Sequence, residues 1–105
     1  MRNTGGISEA ELYLPALQAM KSRGGFISTS DLIEELTSVM QPTGHDAEII
    51  PGRHDTHFSQ KVRNIISHRD GPGNIIHDGY AEYIQQDEGL EITGAGLAYL
   101  DSLGL

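Results

Sequence analysis

Apolar residues recur at helical spacing along the first two thirds of the chain, and they predict three helices there. The first helix is expected over about residues 8–22, because Ser8 and Glu11 have the form of a capping box. Pro15 lies inside this stretch and predicts a kink or a restart, since proline has no backbone N–H to donate. A second helix is predicted over about residues 28–40, with a single apolar stripe. The stripe consists of Leu32, Ile33, Leu36, Val39 and Met40.

The third predicted helix, over about residues 56–69, has two very different faces. One face is apolar and is expected to be buried: Phe58, Val62, Ile65 and Ile66. The opposite face carries amide, hydroxyl and guanidinium groups and no carboxylate: Gln60, Arg63, Asn64 and Ser67. This pattern is typical of a helix that packs on a core with one side and offers the other side to a polar partner.

Two short extended segments follow the third helix and predict a β-hairpin. Residues 80–84 alternate between apolar and polar positions, residues 85–89 are turn-forming, and residues 90–92 form the returning strand. A further short extended piece is predicted earlier, at residues 26–28. Residues 41–51 are rich in turn formers and are expected to be a linker.

Thr93 is expected to begin a last helix whose leucines, Leu97, Leu100 and Leu103, face the core. The resulting order of elements predicts an α+β fold that is mainly α, a winged helix-turn-helix. It would have three helices, a two- or three-stranded wing and a C-terminal helix, and its third helix would enter a DNA major groove. A length of 105 residues allows one core, so we expect a single domain over residues 8–105 after a flexible tail at residues 1–7.

Charge is distributed unevenly along this acidic chain. The formal net charge is −8, which by itself disfavours contact with nucleic acid. Residues 53–69, however, hold four of the seven basic residues and only one acid, Asp55. The distribution therefore favours one face selected for an anionic partner. Uneven charge also arises by chance in a small domain, so charge alone leaves both interpretations open.

Composition excludes several classes of protein. There are no cysteines, which rules out disulfides and thiolate metal sites and fits a reducing compartment. No apolar run approaches the length that spans a membrane. These features together predict a cytoplasmic protein without membrane partners.

No arrangement of residues predicts catalysis or a bound cofactor. Neither Lys21 nor Lys61 is preceded by an acid two positions earlier, as a nuclease triplet requires, and there is no phosphate loop or nucleophile elbow. Histidines at 54 and 57 flank Asp55, and His45 can approach them, but a helix cap explains this cluster more simply. We therefore expect no enzyme activity, no cofactor and no metal.

Three stretches resemble the N-terminal winged-helix domain of Mrr-type restriction enzymes. They are residues 11–17 (ELYLPAL) followed by Ile27 and Ser28, residues 52–64 (GRHDTHFSQKVRN), and residues 90–100, which contain the ITxxG element ITGAG. The resemblance implies a winged-helix DNA-binding domain and carries no nuclease activity with it. It implies double-stranded DNA as the partner, together with a second copy of the chain or a nuclease or methyltransferase of a restriction–modification system.

Two sets of residues are candidates for DNA contact if the third helix enters a groove. Amide, guanidinium and hydroxyl groups on its outer face can read base edges: Gln60, Arg63, Asn64 and Ser67. Basic and hydroxyl side chains around them are candidates for phosphate contact: Arg53, His54, Thr56, His57, Lys61 and Arg69. The alternative is an acidic winged-helix adaptor that binds protein rather than DNA, for which Leu14, opposite the main stripe of the first helix, is a candidate contact.

Overall fold

Four α-helices and a three-stranded antiparallel sheet make up the part of the chain that the computed structural model describes, residues 6–52 and 55–105. The fold is therefore α+β and mainly helical, as predicted. The helices and strands are α1 (Tyr13–Ser22), β1 (Phe26–Ser28), α2 (Thr29–Met40), α3 (His57–Ser67), β2 (Ala81–Ile84), β3 (Gly89–Ile92) and α4 (Gly94–Ser102). Short 3-10 helices lie before α1 (Glu9–Leu12), after α2 (Gly44–Ala47) and between β2 and β3 (Gln85–Asp87).

The predicted helix starts are confirmed by the capping hydrogen bonds. The side chains of Ser28, Thr56 and Thr93 accept from the backbone N–H three residues later, at the starts of α2, α3 and α4. Ser8 caps the first 3-10 helix in the same way. The predicted interruption of the first helix is also present, but it lies at Tyr13, where the 3-10 helix gives way to α1. Pro15 is then the third residue of α1, within the first turn, where proline is tolerated.

The sheet has the strand order β1-β3-β2, so the hairpin is extended by a third strand from the first half of the chain. Leu90 of β3 lies opposite Ile27 of β1 on one side and Tyr83 of β2 on the other. Gly89 begins β3 at a point of close approach, because a Cβ there would collide with the Ile27 carbonyl and the Phe26 ring. The sheet that was expected to have two or three strands therefore has three.

All four helices and all three strands contribute to one core in the described residues, and α3 contributes Phe58, Val62 and Ile65 as predicted. Ile66 is only partly buried and packs against the edge of that core. Ile7 was assigned to a flexible tail, but it is buried, and its amide donates to Asp46. The remaining tail residues 1–5 lie outside the described part of the chain.

Three predicted core positions are wrong. Leu97 and Leu103 are 43% and 48% exposed, because α4 approaches the sheet through Gly96 and Leu100 instead. A Cβ at Gly96 would collide with the Tyr80 carbonyl, so this close contact decides which face of α4 turns inward. Val39, in the apolar stripe predicted for α2, is 58% exposed and lines an open pocket beside α1, whereas its neighbour Met40 packs against the core.

No helix among the described residues is long and apolar enough to cross a membrane.

Candidate nucleic-acid interface

The four predicted base-reading residues lie together on the side of α3 opposite its buried stripe. Ser67 is exposed, and the other three side chains, Gln60, Arg63 and Asn64, are half-buried. Helix α3 contains no carboxylate anywhere along its length. The structure thus assembles a polar, carboxylate-free helix surface, which we call the α3 polar face and define by these four residues.

Two amides of the α3 polar face are hydrogen-bonded to each other. Gln60 Nε2 donates to Asn64 Oδ1 over 2.9 Å, one helical turn apart. The bond joins two side chains on one face of the helix and uses the Asn64 oxygen as its acceptor. Asparagine reads a base edge with both its oxygen and its nitrogen, so a base that pairs with Asn64 must share or displace the bond from Gln60.

Arg63 is engaged by the acid that precedes the helix. Its Nη1 atom donates to Asp55 Oδ1 over 2.6 Å, and the two side chains are 39% and 28% exposed. An ion pair this accessible to water contributes little net stability. Arg63 can therefore exchange Asp55 for another anion or acceptor at low cost, but in the free protein its charge is offset.

The start of α3 uses two of the predicted phosphate contacts for local structure. Thr56 Oγ1 accepts from the Ser59 amide at 3.0 Å and lies 3.0 Å from Ser59 Oγ. The His57 ring stacks on the His45 ring, with centroids 4.0 Å apart. Both residues remain half-buried rather than covered, so these contacts restrict their orientation without removing them from the surface.

Lys61, predicted to contact phosphate, forms an internal ion pair instead. Its Nζ atom donates to Asp46 Oδ1 and to the Ile7 carbonyl, with a donor–acceptor distance of 2.6 Å in each case. Asp46 is 1% exposed and also accepts from the Ile7 amide over 2.7 Å. Burial opposes ionisation of Asp46, but the bonds from Lys61 and Ile7 outweigh it and hold the pKa of Asp46 below its ordinary value. We therefore remove Lys61 from the candidate phosphate contacts.

Arg69 lies just beyond the end of α3 and is exposed. Its Nη1 atom donates to the Ile66 carbonyl over 2.9 Å, and its guanidinium lies 5.5 Å from the centre of the Tyr83 ring. These contacts hold a cation between α3 and β2. The other two predicted phosphate contacts, Arg53 and His54, lie outside the described residues.

An open groove of about 450 Å³ separates the α3 polar face from the hairpin. Arg63 and Ser67 line it on one side, and Asp87 and Glu88 of the hairpin tip line it on the other. The first residues of α2 form its end, and the N-terminus of a helix attracts anions. The groove therefore combines features that favour a phosphate backbone with two carboxylates that oppose it.

Side-chain contacts hold the C-terminal end of α3 in place, as the Thr56 cap does at its start. At the C-terminal end, Asn74 Nδ2 donates to the Ile65 carbonyl over 2.8 Å, and His68 Nδ1 lies 2.8 Å from Glu9 Oε1. Glu9 also accepts from the Tyr13 hydroxyl over 2.9 Å. Burial, followed by the neighbouring Glu9 carboxylate, raises the pKa of Tyr13 to about 12.

Sequence reasoning missed the residues that anchor α3 and the full composition of the histidine cluster. Asp46 and Asn74 are buried polar side chains within turn-rich segments, and nothing in their local sequence marks them as buried. The structure brings His57 together with His45 and Glu48, not with Asp55, which faces Arg63. The proximity of His45 was foreseen, but the contribution of Glu48 depends on a tertiary contact between residues 49 and 56.

Comparisons with protein-family models, with curated proteins and with solved structures found no match to this chain.

Proposed function

We propose that this domain is a winged helix that binds double-stranded DNA, with α3 in the major groove. The observation that carries the proposal is the α3 polar face, a helix surface with two hydrogen-bonded amides, a guanidinium, a hydroxyl and no carboxylate of its own. In a chain of net charge −8, the acids near this face, Asp55, Asp87 and Glu88, come from neighbouring segments and not from α3. The proposal concerns binding alone and assigns no catalytic step.

The arrangement of elements supports this assignment. Strand β1 lies between α1 and α2 in the chain, the hairpin β2–β3 follows α3, and β1 pairs with β3. In helix-turn-helix proteins the recognition helix enters the major groove through residues of one exposed face. Helix α3 is amphipathic, is anchored at both ends and precedes the hairpin, which are the properties that such a helix needs.

The residue types of the α3 polar face match the chemistry of base recognition. Asparagine and glutamine pair with adenine N6 and N7, and arginine pairs with guanine O6 and N7. Gln60 and Asn64 therefore favour an adenine, and Arg63 favours a guanine once it leaves Asp55. Ser67 can donate to or accept from either.

Few cations are available for phosphate in this proposal. Lys61 is paired with Asp46 and Arg63 is assigned to a base edge, so Arg69 is the candidate beside α3 on the described surface, and Arg53 is a further candidate outside it. His57 and Thr56 at the start of α3 can add polar contacts, and His54 is a further candidate. With one or two neutralised phosphates, the slope of log K against log salt should be about −1 to −2. Affinity would then come largely from base contacts.

Asn64→Ala is expected to weaken binding to the preferred site by about 1–3 kcal/mol and to leave non-specific binding almost unchanged. The preferred site is first selected from a randomised duplex library at about 50 mM salt, where phosphate attraction is strong. Fluorescence anisotropy then gives the affinity for the selected duplex and for a scrambled duplex. Gln18→Ala, which removes an exposed amide from α1, is the matched control and should match the wild type. A wild type that binds no duplex at this salt concentration contradicts the proposal.

Asp55→Asn is expected to raise the affinity for all duplexes by about two- to tenfold. The substitution releases Arg63 from its ion pair and removes a carboxylate that faces the approaching phosphates. The same anisotropy titration measures the change, and the gain should shrink as salt increases because it is electrostatic. Asp101→Asn, which changes an exposed acid on α4, is the matched control. An unchanged or reduced affinity for Asp55→Asn would show that Arg63 does not meet DNA.

A second candidate function is that of a protein-interaction adaptor, and the C-terminal segment favours it. Large side chains in and after α4 are exposed: Leu97 at 43%, Tyr99 at 38%, Leu103 at 48% and Leu105 at 42%. Tyr99 and Leu103 lie about one helical turn apart on the same side, and exposed apolar groups that share a side are typical of contact surfaces. Leu14, the contact expected from the sequence, instead packs against the core. A chain that binds no duplex but self-associates, with loss of association in Leu103→Ser, would support this function.

A further inference from the structure

We propose that His45, Glu48 and His57 form a binding site for one divalent transition-metal ion such as Zn²⁺. The three side chains can each offer a ligand atom, and these atoms all lie within 4.8 Å of one another. Two imidazole nitrogens with one carboxylate oxygen are a common zinc ligand set, and such sites leave a fourth position for water or another ligand. The proposal does not depend on DNA binding.

The backbone brings these residues together from two segments of the chain. Residues 49 and 56 form a β-bridge, and the His57 amide donates to the Glu48 carbonyl over 3.0 Å. His45 belongs to the 3-10 helix Gly44–Ala47, which Asp46 ties to α3 through Lys61. The ligands are therefore carried by a loop and a helix end that are already joined, so binding an ion requires only side-chain rotation.

The ligand atoms are close enough to converge on one ion after the two stacked rings rotate, because the lone pairs of nearly parallel rings do not meet at one point. The two imidazole rings stack with centroids 4.0 Å apart, and His45 Nδ1 lies 3.7 Å from Glu48 Oε1. In a tetrahedral zinc site with bonds of about 2.0–2.1 Å, neighbouring ligand atoms lie about 3.3 Å apart. His45 and Glu48 are 61% and 66% exposed, so both can turn inward by the ångström or so that remains.

Neighbouring charges permit a cation at this position. Lys61 lies one helical turn beyond His57, but its charge is balanced by Asp46. The N-terminus of α3 disfavours a cation nearby, an effect that is small beside metal coordination and that the Glu48 carboxylate opposes. Asp55 is paired with Arg63 and is not one of the three proposed ligands.

The ligand types also predict which ions bind. Imidazole suits Zn²⁺, Cu²⁺ and Ni²⁺, whereas Mg²⁺ and Ca²⁺ prefer sets of oxygen ligands. A protein with a formal charge of −8 attracts any divalent cation weakly. Selectivity for zinc over millimolar magnesium therefore distinguishes the proposed site from general attraction to acidic groups.

The test is a calorimetric titration of the tag-free protein with zinc chloride in the absence of DNA. We expect one ion per chain with a Kd of about 10 µM or lower, unaffected by millimolar Mg²⁺. His45→Gln, His57→Gln and Glu48→Gln should each weaken binding by at least about tenfold. His77→Gln, which removes an exposed histidine beside Asp78, is the matched control and should bind as the wild type does. Zinc should also raise the Tm of the wild type and the control by several degrees, because the ion binds the folded state.

Three results would overturn the proposal. The first is the absence of saturable zinc binding to the wild type. The second is unchanged binding in the double variant His45→Gln with His57→Gln, with folding confirmed by circular dichroism. The third is a loss of binding in His54→Gln that does not occur in His45→Gln, which would assign the ion to a different set of histidines.

Discussion

Replacing Asp46 with alanine is expected to lower the free energy of unfolding by about 3–5 kcal/mol. Asp46 is 1% exposed and accepts hydrogen bonds from Lys61 Nζ and the Ile7 amide. The substitution leaves the partly buried ammonium of Lys61 without its counter-charge and the buried amide of Ile7 without its acceptor. Removing one partner of a buried pair costs more than the pair itself contributes, because the other partner stays desolvated.

Urea unfolding of four variants separates the charge from the hydrogen bonds. Asp46→Asn retains an acceptor for the Ile7 amide and should lose less stability than Asp46→Ala. Lys61→Met combined with Asp46→Asn removes both charges and should be closer to the wild type than Asp46→Ala is. Asp101→Ala, an exposed acid on α4, should change stability by less than about 0.5 kcal/mol. A loss below about 1 kcal/mol in Asp46→Ala would mean that the ion pair does not anchor α3.

The ion pair between Asp46 and Lys61 also predicts how the free energy of unfolding depends on pH. The pKa of Asp46 is lower in the folded protein than in the unfolded chain, so its contribution is complete above the ordinary carboxylate value. That contribution is lost as the pH falls through the folded value. Between about pH 5 and pH 2, the wild type should therefore lose stability more steeply than Asp46→Asn does.

Replacing Asn74 with alanine is expected to cost about 2–4 kcal/mol, the second largest effect. Asn74 is 2% exposed, donates to the Ile65 carbonyl over 2.8 Å and accepts from the Ile76 amide over 2.8 Å. The last carbonyls of a helix have no partner within the helix, and here a side chain from the following loop supplies one. Alanine leaves one buried and one partly buried backbone group unpaired. A buried unpaired group costs about 1–3 kcal/mol and a partly buried one costs less.

The measurement is again urea unfolding, with Gln86→Ala as a control that removes an exposed amide from the hairpin tip. A serine at position 74 keeps a shorter hydroxyl and should recover part of the loss. Hydrogen exchange adds a local readout, because the last turn of α3 and the loop after it should lose protection first in Asn74→Ala. A variant with wild-type stability would contradict the role of Asn74 as the anchor of this helix end.

Local patterns in the sequence were sufficient for the elements of this fold. Ser28 and Thr93 cap the helices that they were expected to begin, and Thr56 caps α3, for which the sequence offered Asp55 or Thr56. Caps are predictable because they depend on residues within one turn. The two faces of α3 were likewise readable, since helical periodicity places residues on opposite sides whatever the helix packs against. The α3 polar face is in this sense a property of the sequence.

Tertiary packing decided which cations of α3 remain available to a partner and which leucine of α4 is buried. Lys61 looked like any other cation on α3, and only the approach of Asp46 and Ile7 from distant parts of the chain turned it inward. Leu97 and Leu100 are equally apolar, and only the contact at Gly96 selected Leu100 for the core.

The sequence by itself therefore determined the starts of α2, α3 and α4, the apolar stripe of α3 and the chemical character of its opposite face. The tertiary structure alone decided the partners of Arg63 and Lys61, the burial of Asp46 and Asn74, and the meeting of His45, Glu48 and His57. The division has a physical cause. Caps and helical periodicity act over three or four residues, whereas ion pairs and ligand clusters depend on how segments far apart in the chain pack together.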